Sequence, residues 1–158
     1  MEDLSLILWR ERELLDALLY KLEIEQLVLA GGKSRWLPTA AREVESILES
    51  IRETELLRAV AADQAAARVG LASNPSLRVL AESVDEPWRS ILLDHREAFV
   101  EYTREISEIA VANRELLTAG QQAARELFLG LSDQPDGYAN DGRAVVDEPR
   151  HRLLDQSI

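Results

Sequence analysis

The chain of 158 residues lacks cysteine altogether, and aromatic residues make up only 5% of it. Without cysteine, neither a disulfide framework nor thiolate chemistry is possible, which fits a reducing compartment such as the cytoplasm. No apolar stretch approaches the roughly 18–20 residues that a membrane-spanning helix needs. The acidic opening MEDLSLILW is not typical of a signal peptide, so we expect a cytoplasmic protein without membrane insertion.

Lysine is also scarce, so the positive charge is almost all arginine. Lysine occurs only at Lys21 and Lys33, and the formal net charge is −11. This excess of negative charge repels phosphate groups, so nucleic acid and anionic membrane surfaces are not expected as partners. What the chain contains in plenty is Leu, Ala, Glu and Arg, the composition of long helices.

The spacing of apolar residues predicts two long helices and a short one in the first half of the chain. The first covers residues 2–30 and ends at the Gly31-Gly32 pair, because glycine readily supplies the left-handed conformation of a helix end. The second begins near residue 38 and ends near residue 70. A short helix follows over 76–83, with Asn74-Pro75 as its N-cap and first-turn residue.

A third long helix opens at Asp85-Glu86-Pro87 and shows the clearest pattern. Its apolar positions alternate four and three residues apart, as they do along a coiled coil. These seam positions are Trp88, Leu92, His95, Phe99, Tyr102, Ile106, Ile109, Asn113, Leu116, Gly120, Ala123 and Leu127. We therefore predict an all-α fold: a coiled-coil-like bundle of three long antiparallel helices with one short connecting helix. The predicted domains are the bundle, 1–131, and a flexible C-terminal tail, 132–158.

Polar residues interrupt the seams of both the first and the third helix. Glu11 and Glu25 fall on the first, and His95 and Asn113 on the third. A lone asparagine on such a seam can fix the register at a cost in stability, or it can face water where the partner helices have ended. His95 is interpreted as a core residue in preference to a catalytic base.

The sequence offers no convergent catalytic cluster, so no catalytic, cofactor-binding or metal-ligating residue is assigned. Gly31-Gly32-Lys33-Ser34 lacks the strand and first glycine of a phosphate loop. Glu148 and His151 have the spacing of a di-iron ligand pair, but Pro149 stands between them. A small helical enzyme that binds a dicarboxylate is disfavoured, since arginines such as Arg10 and Arg104 fall beside the seams.

The surface of the third helix is more informative. The second helix loses its large apolar residues after Val60, which leaves the distal part of the third without predicted cover. Exposed apolar surface of this kind marks a partner site, commonly for a helix in a groove. The candidate partner-binding residues are Asn113, Leu116, Leu117, Ala123, Leu127, Phe128 and Leu131. A second copy of the chain fits the same surface, so the alternative is a homodimeric coiled-coil module for structure or signalling.

Several segments, taken in order, resemble the flagellar export chaperone family FlgN. They are ILWRERELL at 7–15, RWL at 35–37 before REVE at 42–45, SLR at 76–78 and ANRELL at 112–117. The resemblance covers about residues 2–131 and implies a cytoplasmic type III secretion chaperone made of long antiparallel helices. Its implied partners are the C-terminal segments of hook-associated (hook–filament junction) proteins and the flagellar export gate. The family's partner-binding region lies toward the C-terminal end, which corresponds here to Leu116, Leu117, Leu127, Phe128 and Leu131.

Overall fold

The computed structural model describes residues 1–132, with side chains for residues 1–130. Over this range every regular element is helical, which confirms the predicted all-α class. The helices are α1 (Glu2–Ala30), α2 (Leu37–Arg68), α3 (Leu77–Glu82) and α4 (Trp88–Ser132), and a 3-10 turn, Ser34–Trp36, joins α1 to α2. None of these helices is long and apolar enough to cross a lipid bilayer. From residue 133 onward, the predicted flexible tail lies outside the described residues.

Glycine and proline mark the ends of α1 and α2 as the sequence predicts. After α1, Gly32 has a φ of 62°, a left-handed conformation that glycine adopts without strain. Gly70 has a φ of 73° just after α2. Pro38 lies in the first turn of α2, where a missing N–H leaves no helix hydrogen bond unmade.

The start of α3 differs from the prediction. The N-cap of α3 is Ser76 instead of Asn74. The Ser76 hydroxyl accepts a hydrogen bond from the backbone N–H of Val79 at 3.3 Å. Asn74 instead has a φ of 58° and donates its backbone N–H to Oδ1 of Asp63 at 2.6 Å. Asparagine tolerates this left-handed conformation better than most residues do. Asn74 therefore forms a turn in the segment that connects α2 to α3, two residues before the N-cap Ser76.

Ion pairs between α1 and α2 show that these two helices run antiparallel. Glu11 of α1 pairs with Arg58 of α2 at 3.0 Å, and Lys21 pairs with Glu43 at 2.8 Å. Glu11 is one of the two seam glutamates, and it is buried. Burial raises the pKa of this carboxyl group, while the Arg58 cation acts to lower it. The buried Glu11 on the α1 seam is thus paired with the cation of Arg58 on the neighbouring helix α2.

Contacts between α1 and α4 rise together in residue number, so these helices run parallel. Near the start of both, Arg12 pairs with Asp94 at 2.6 Å. Further along, the Asn113 side chain donates to the backbone carbonyl of Leu22 at 2.9 Å. α1 therefore contacts both of the other long helices.

Two apolar clusters form the core. The first joins the start of α1, the alanine-rich end of α2, α3 and the start of α4, and its buried members are Leu4, Leu8, Ala61, Ala65, Leu80, Ala81, Val84 and Leu92. The second comprises Leu18, Leu22, Val44 and Ile51, with Ile106 and Ile109 of α4 packed against it. Alanines on α2 give little bulk, so its neighbours approach closely there.

The chain divides into two compact units, Met1–Gly120 and Gln121–Ile158. Both apolar clusters belong to the first unit. The described part of the second unit, residues 121–132, is the last part of α4. The domain boundary predicted at residue 131 stays a prediction.

Candidate functional site

Burial along α4 ends at Asn113. On the N-terminal side of this residue, seam residues such as Leu92 and His95 are fully buried and Ile106 is partly buried. On its C-terminal side, every residue from 114 to 130 is exposed. We call residues 114–130 the distal stretch of α4. Its apolar seam residues remain accessible to solvent. The prediction expected this from the loss of large residues on α2 after Val60, but that end of α2 packs with Leu92 at the start of α4.

Asn113 itself is buried and used inside the chain. Its Nδ2 donates to the carbonyl oxygen of Leu22 at 2.9 Å and to Oε2 of Glu25 at 3.0 Å. Of the two interpretations that the sequence allows, the water-facing one is therefore wrong, and Asn113 ties α4 to α1 at a fixed position. Its side chain is not part of the exposed surface, although it was among the candidate partner-binding residues. The second seam glutamate, Glu25, acts as the acceptor for this amide.

An open cavity of about 240 Å³ lies beside Asn113, within the unit Met1–Gly120. We call it the Asn113 cavity, and its lining residues are Leu22, Glu25, Leu29, Leu37, Ala110, Asn113, Arg114 and Leu117. Four leucines make its wall largely apolar. The Oδ1 atom of Asn113 is buried and accepts no hydrogen bond among the described residues. A large apolar group suits the wall of this cavity.

The other predicted site residues with described side chains are exposed. In the first unit, these are Leu116 and Leu117, and Leu117 also lines the Asn113 cavity. In the second unit, Ala123, Leu127 and Phe128 are exposed, and Leu127 retains 70% of its accessible surface. The side chain of Leu131 lies outside the described residues. Leu129 is also exposed and lines a shallow hollow with Phe128.

The distal stretch has balanced charge, in contrast to the chain as a whole. It carries Arg114, Glu115, Arg125 and Glu126, two residues of each sign, whereas the whole chain has a net charge of −11. A partner of either sign meets no net repulsion from the side chains of this stretch itself. Apolar contact is therefore the main interaction that the stretch can offer.

His95 lies in the core, as interpreted from the sequence. It is fully buried, with the Trp9 ring edge-on at 4.9 Å and the Phe99 ring stacked at 6.2 Å between centroids. Neither of its ring nitrogens has a hydrogen-bond partner among the described residues. Burial lowers the pKa of His95, and the Arg12 cation lowers it further, while Asp94 acts in the opposite direction. The side chain therefore packs as a neutral ring.

Within residues 1–130, no group of three histidine, aspartate or glutamate side chains is placed to hold a metal ion. The pair Glu148 and His151 lies outside the described residues. Sequence reasoning missed one cluster, in which Arg58, Arg78 and Arg96 line a common groove. These arginines come from α2, α3 and α4, so no spacing in the sequence signals their meeting.

The model of a family described as FlgN protein matches residues 1–145 of the chain. No curated protein and no solved structure matches it.

Proposed function

Because the chain belongs to the FlgN family and so has a chaperone role related to the flagellum, we propose that it is a cytoplasmic chaperone of flagellar type III secretion. Its clients are hook-associated proteins, the proteins of the hook–filament junction. The chaperone holds their C-terminal segments, prevents their premature assembly and delivers them to the export gate. No step of this work requires catalysis or a cofactor.

The exposed leucines of the distal stretch are the observation that supports this proposal. Leu116 and Leu127 continue the seam that is buried in the earlier part of α4, and Leu117 lies beside it, yet all three remain accessible to solvent. Covering a fully exposed leucine side chain contributes about 1.5–3 kcal/mol. A client helix with one apolar face gains several such contacts by lying along this stretch, in the helix-in-groove mode.

The Asn113 cavity lies at the N-terminal end of the proposed client surface. Leu117 belongs both to the distal stretch and to the cavity wall, so an apolar side chain of the client can enter the cavity while its helix contacts Leu116 and Leu117. The apolar wall of the cavity favours a client side chain that is large enough to fill it.

Substitution of Leu127 tests the proposal. We expect Leu127→Gln to weaken binding of the isolated C-terminal segment of a hook-associated protein about tenfold, since roughly 1.4 kcal/mol of apolar contact is lost. The matched control is Leu56→Gln on α2, because Leu56 is exposed to 71% and Leu127 to 70%. Isothermal titration calorimetry measures both. Equal affinities for the two variants would contradict the assignment of the client surface.

A homodimer through the distal stretch is the second candidate. Gly120 supports it, since a Cβ added to this residue meets no atom within 4 Å. Glycine in a helix interior costs about 1 kcal/mol relative to alanine, and the close approach of another helix is one reason to retain it. Light scattering at high protein concentration separates the candidates. A monomer excludes the homodimer, and a dimer that the client segment does not dissociate excludes client binding through the distal stretch.

A further inference from the structure

A second open surface, separate from the distal stretch, lies where α2, α3 and α4 meet. It is a groove of about 600 Å³ within the unit Met1–Gly120, and its lining includes Arg58, Arg78, Arg96, Leu77, Phe99 and Val100. None of its lining residues is acidic, although the chain has 29 acidic and only 18 basic residues. We call it the arginine groove.

The floor of the arginine groove is fixed by the core. Leu77 and Phe99 line the groove and also pack against the first apolar cluster. Contact with this cluster holds both side chains in place. Val100, next to Phe99 on α4, is exposed. These three residues offer an apolar floor that is not closed by any other element described here. A side chain with a large apolar part can rest on it.

The three arginines differ in how far the chain already uses them. Arg58 pairs with the buried Glu11, and Arg78 pairs with Glu82 one helical turn away at 2.9 Å. Pairs like that of Arg78, exposed and four residues apart on a helix, contribute little to stability, so an incoming carboxylate can replace Glu82. Arg96 has no ion pair or hydrogen bond among residues 1–130. Arg96 is therefore the cation with the most to gain from a partner.

We propose that the arginine groove binds a peptide segment of a partner protein that presents carboxylates beside a large apolar side chain. Arg96 and Arg78 bind the carboxylates, since the guanidinium fork matches a carboxylate in two parallel hydrogen bonds. The apolar side chain lies on Leu77, Phe99 and Val100.

Other kinds of ligand fit the groove less well. A site for a small metabolite encloses most of its ligand, whereas this groove is open along its length. A nucleic acid carries many phosphates and meets the repulsion of a chain with a net charge of −11. A short acidic segment brings far fewer charges than a nucleic acid does, and the arginines neutralise those that enter the groove.

A labelled peptide tests this proposal on the full-length chain. The probe is a fluorescein-labelled peptide of 14 residues in which pairs of glutamate alternate with pairs of leucine, and the control peptide has glutamine in place of glutamate. By fluorescence anisotropy, we expect the glutamate peptide to bind at least about tenfold more tightly than the glutamine peptide. We expect the double change Arg78→Gln with Arg96→Gln to remove that difference. Raising the salt concentration should weaken only the glutamate peptide.

Two variants serve as controls for this experiment. Arg104→Gln removes an exposed arginine of α4 that does not line the groove, and Leu56→Gln alters an exposed leucine of α2 outside the groove. Both should leave the affinity for the glutamate peptide unchanged within about twofold, because neither touches the groove. Equal binding of the two peptides, or equal loss in the Arg104→Gln variant, would overturn the proposal. So would tighter binding of single-stranded RNA or of inorganic phosphate than of the glutamate peptide.

Discussion

The two parts of α4 on either side of Asn113 share one sequence pattern but differ in their surroundings. From Trp88 to Asn113 the seam packs against α1 and the apolar clusters, whereas over 114–130 the same four–three alternation is exposed. Periodicity therefore predicts which face of a helix is apolar, but not what covers that face. Cover depends on the other helices, and α1 ends at Ala30, shortly after the residues that hold Asn113.

The largest expected contrast between the two parts is in stability. Leu92 is exposed to only 1%, so Leu92→Ala should lower the free energy of unfolding by about 2–5 kcal/mol through lost burial and a cavity. Leu127→Ala, at 70% exposure, should change it by less than about 0.5 kcal/mol. Urea unfolding followed by circular dichroism measures both. Equal losses would mean that the distal stretch also belongs to the core.

Asn113 marks the boundary, and its removal should have an intermediate effect. Asn113→Ala removes two hydrogen bonds to α1 and leaves Glu25 without its buried donor, so we expect a loss of about 1–3 kcal/mol. The control is Thr118→Ala, in the exposed distal stretch, which should be close to neutral. The same urea measurement applies, and a neutral Asn113→Ala variant would show that this amide does not fasten α4 to α1.

His95 should make the buried part of α4 sensitive to pH. Its folded-state pKa lies below the ordinary value of 6.5, so the unfolded chain binds more protons as the pH falls. The associated stability is therefore present above about pH 6.5 and is lost as the pH falls below it. In unfolding experiments between pH 8 and pH 5, the His95→Leu variant should lose less stability than the parent chain. Glu11 titrates in both proteins, so their difference isolates His95, and parallel pH profiles would contradict this expectation.

Much of the fold follows from local sequence. The Gly31-Gly32 pair ends α1 where predicted. The helix α2 begins at Leu37, one residue before the predicted start at Pro38. The N-cap of α3 was misplaced because Asn74 and Ser76 are both good caps, and a contact with Asp63 on α2 decides between them. Local sequence cannot reveal such a contact.

The candidate site was predictable only in part. Exposure of the distal leucines was predicted from the composition of α2 after Val60, yet that end of α2 packs with Leu92 at the start of α4. The burial of Asn113 depends on Glu25 and Leu22 of α1. The sequence marked Glu25 only as an imperfection of the first seam. Pairing of polar residues between distant seams becomes visible only when the helices are placed together.

The central claim is that the distal stretch binds the client and contributes little to the fold. A chain that ends at Asn113 tests it directly, through urea unfolding and through calorimetric titration with the C-terminal segment of a hook-associated protein. Because residues 114–130 are all exposed, we expect an unfolding midpoint close to that of the full chain, together with loss of detectable client binding. A shortened chain that still binds the client at full strength would contradict the claim.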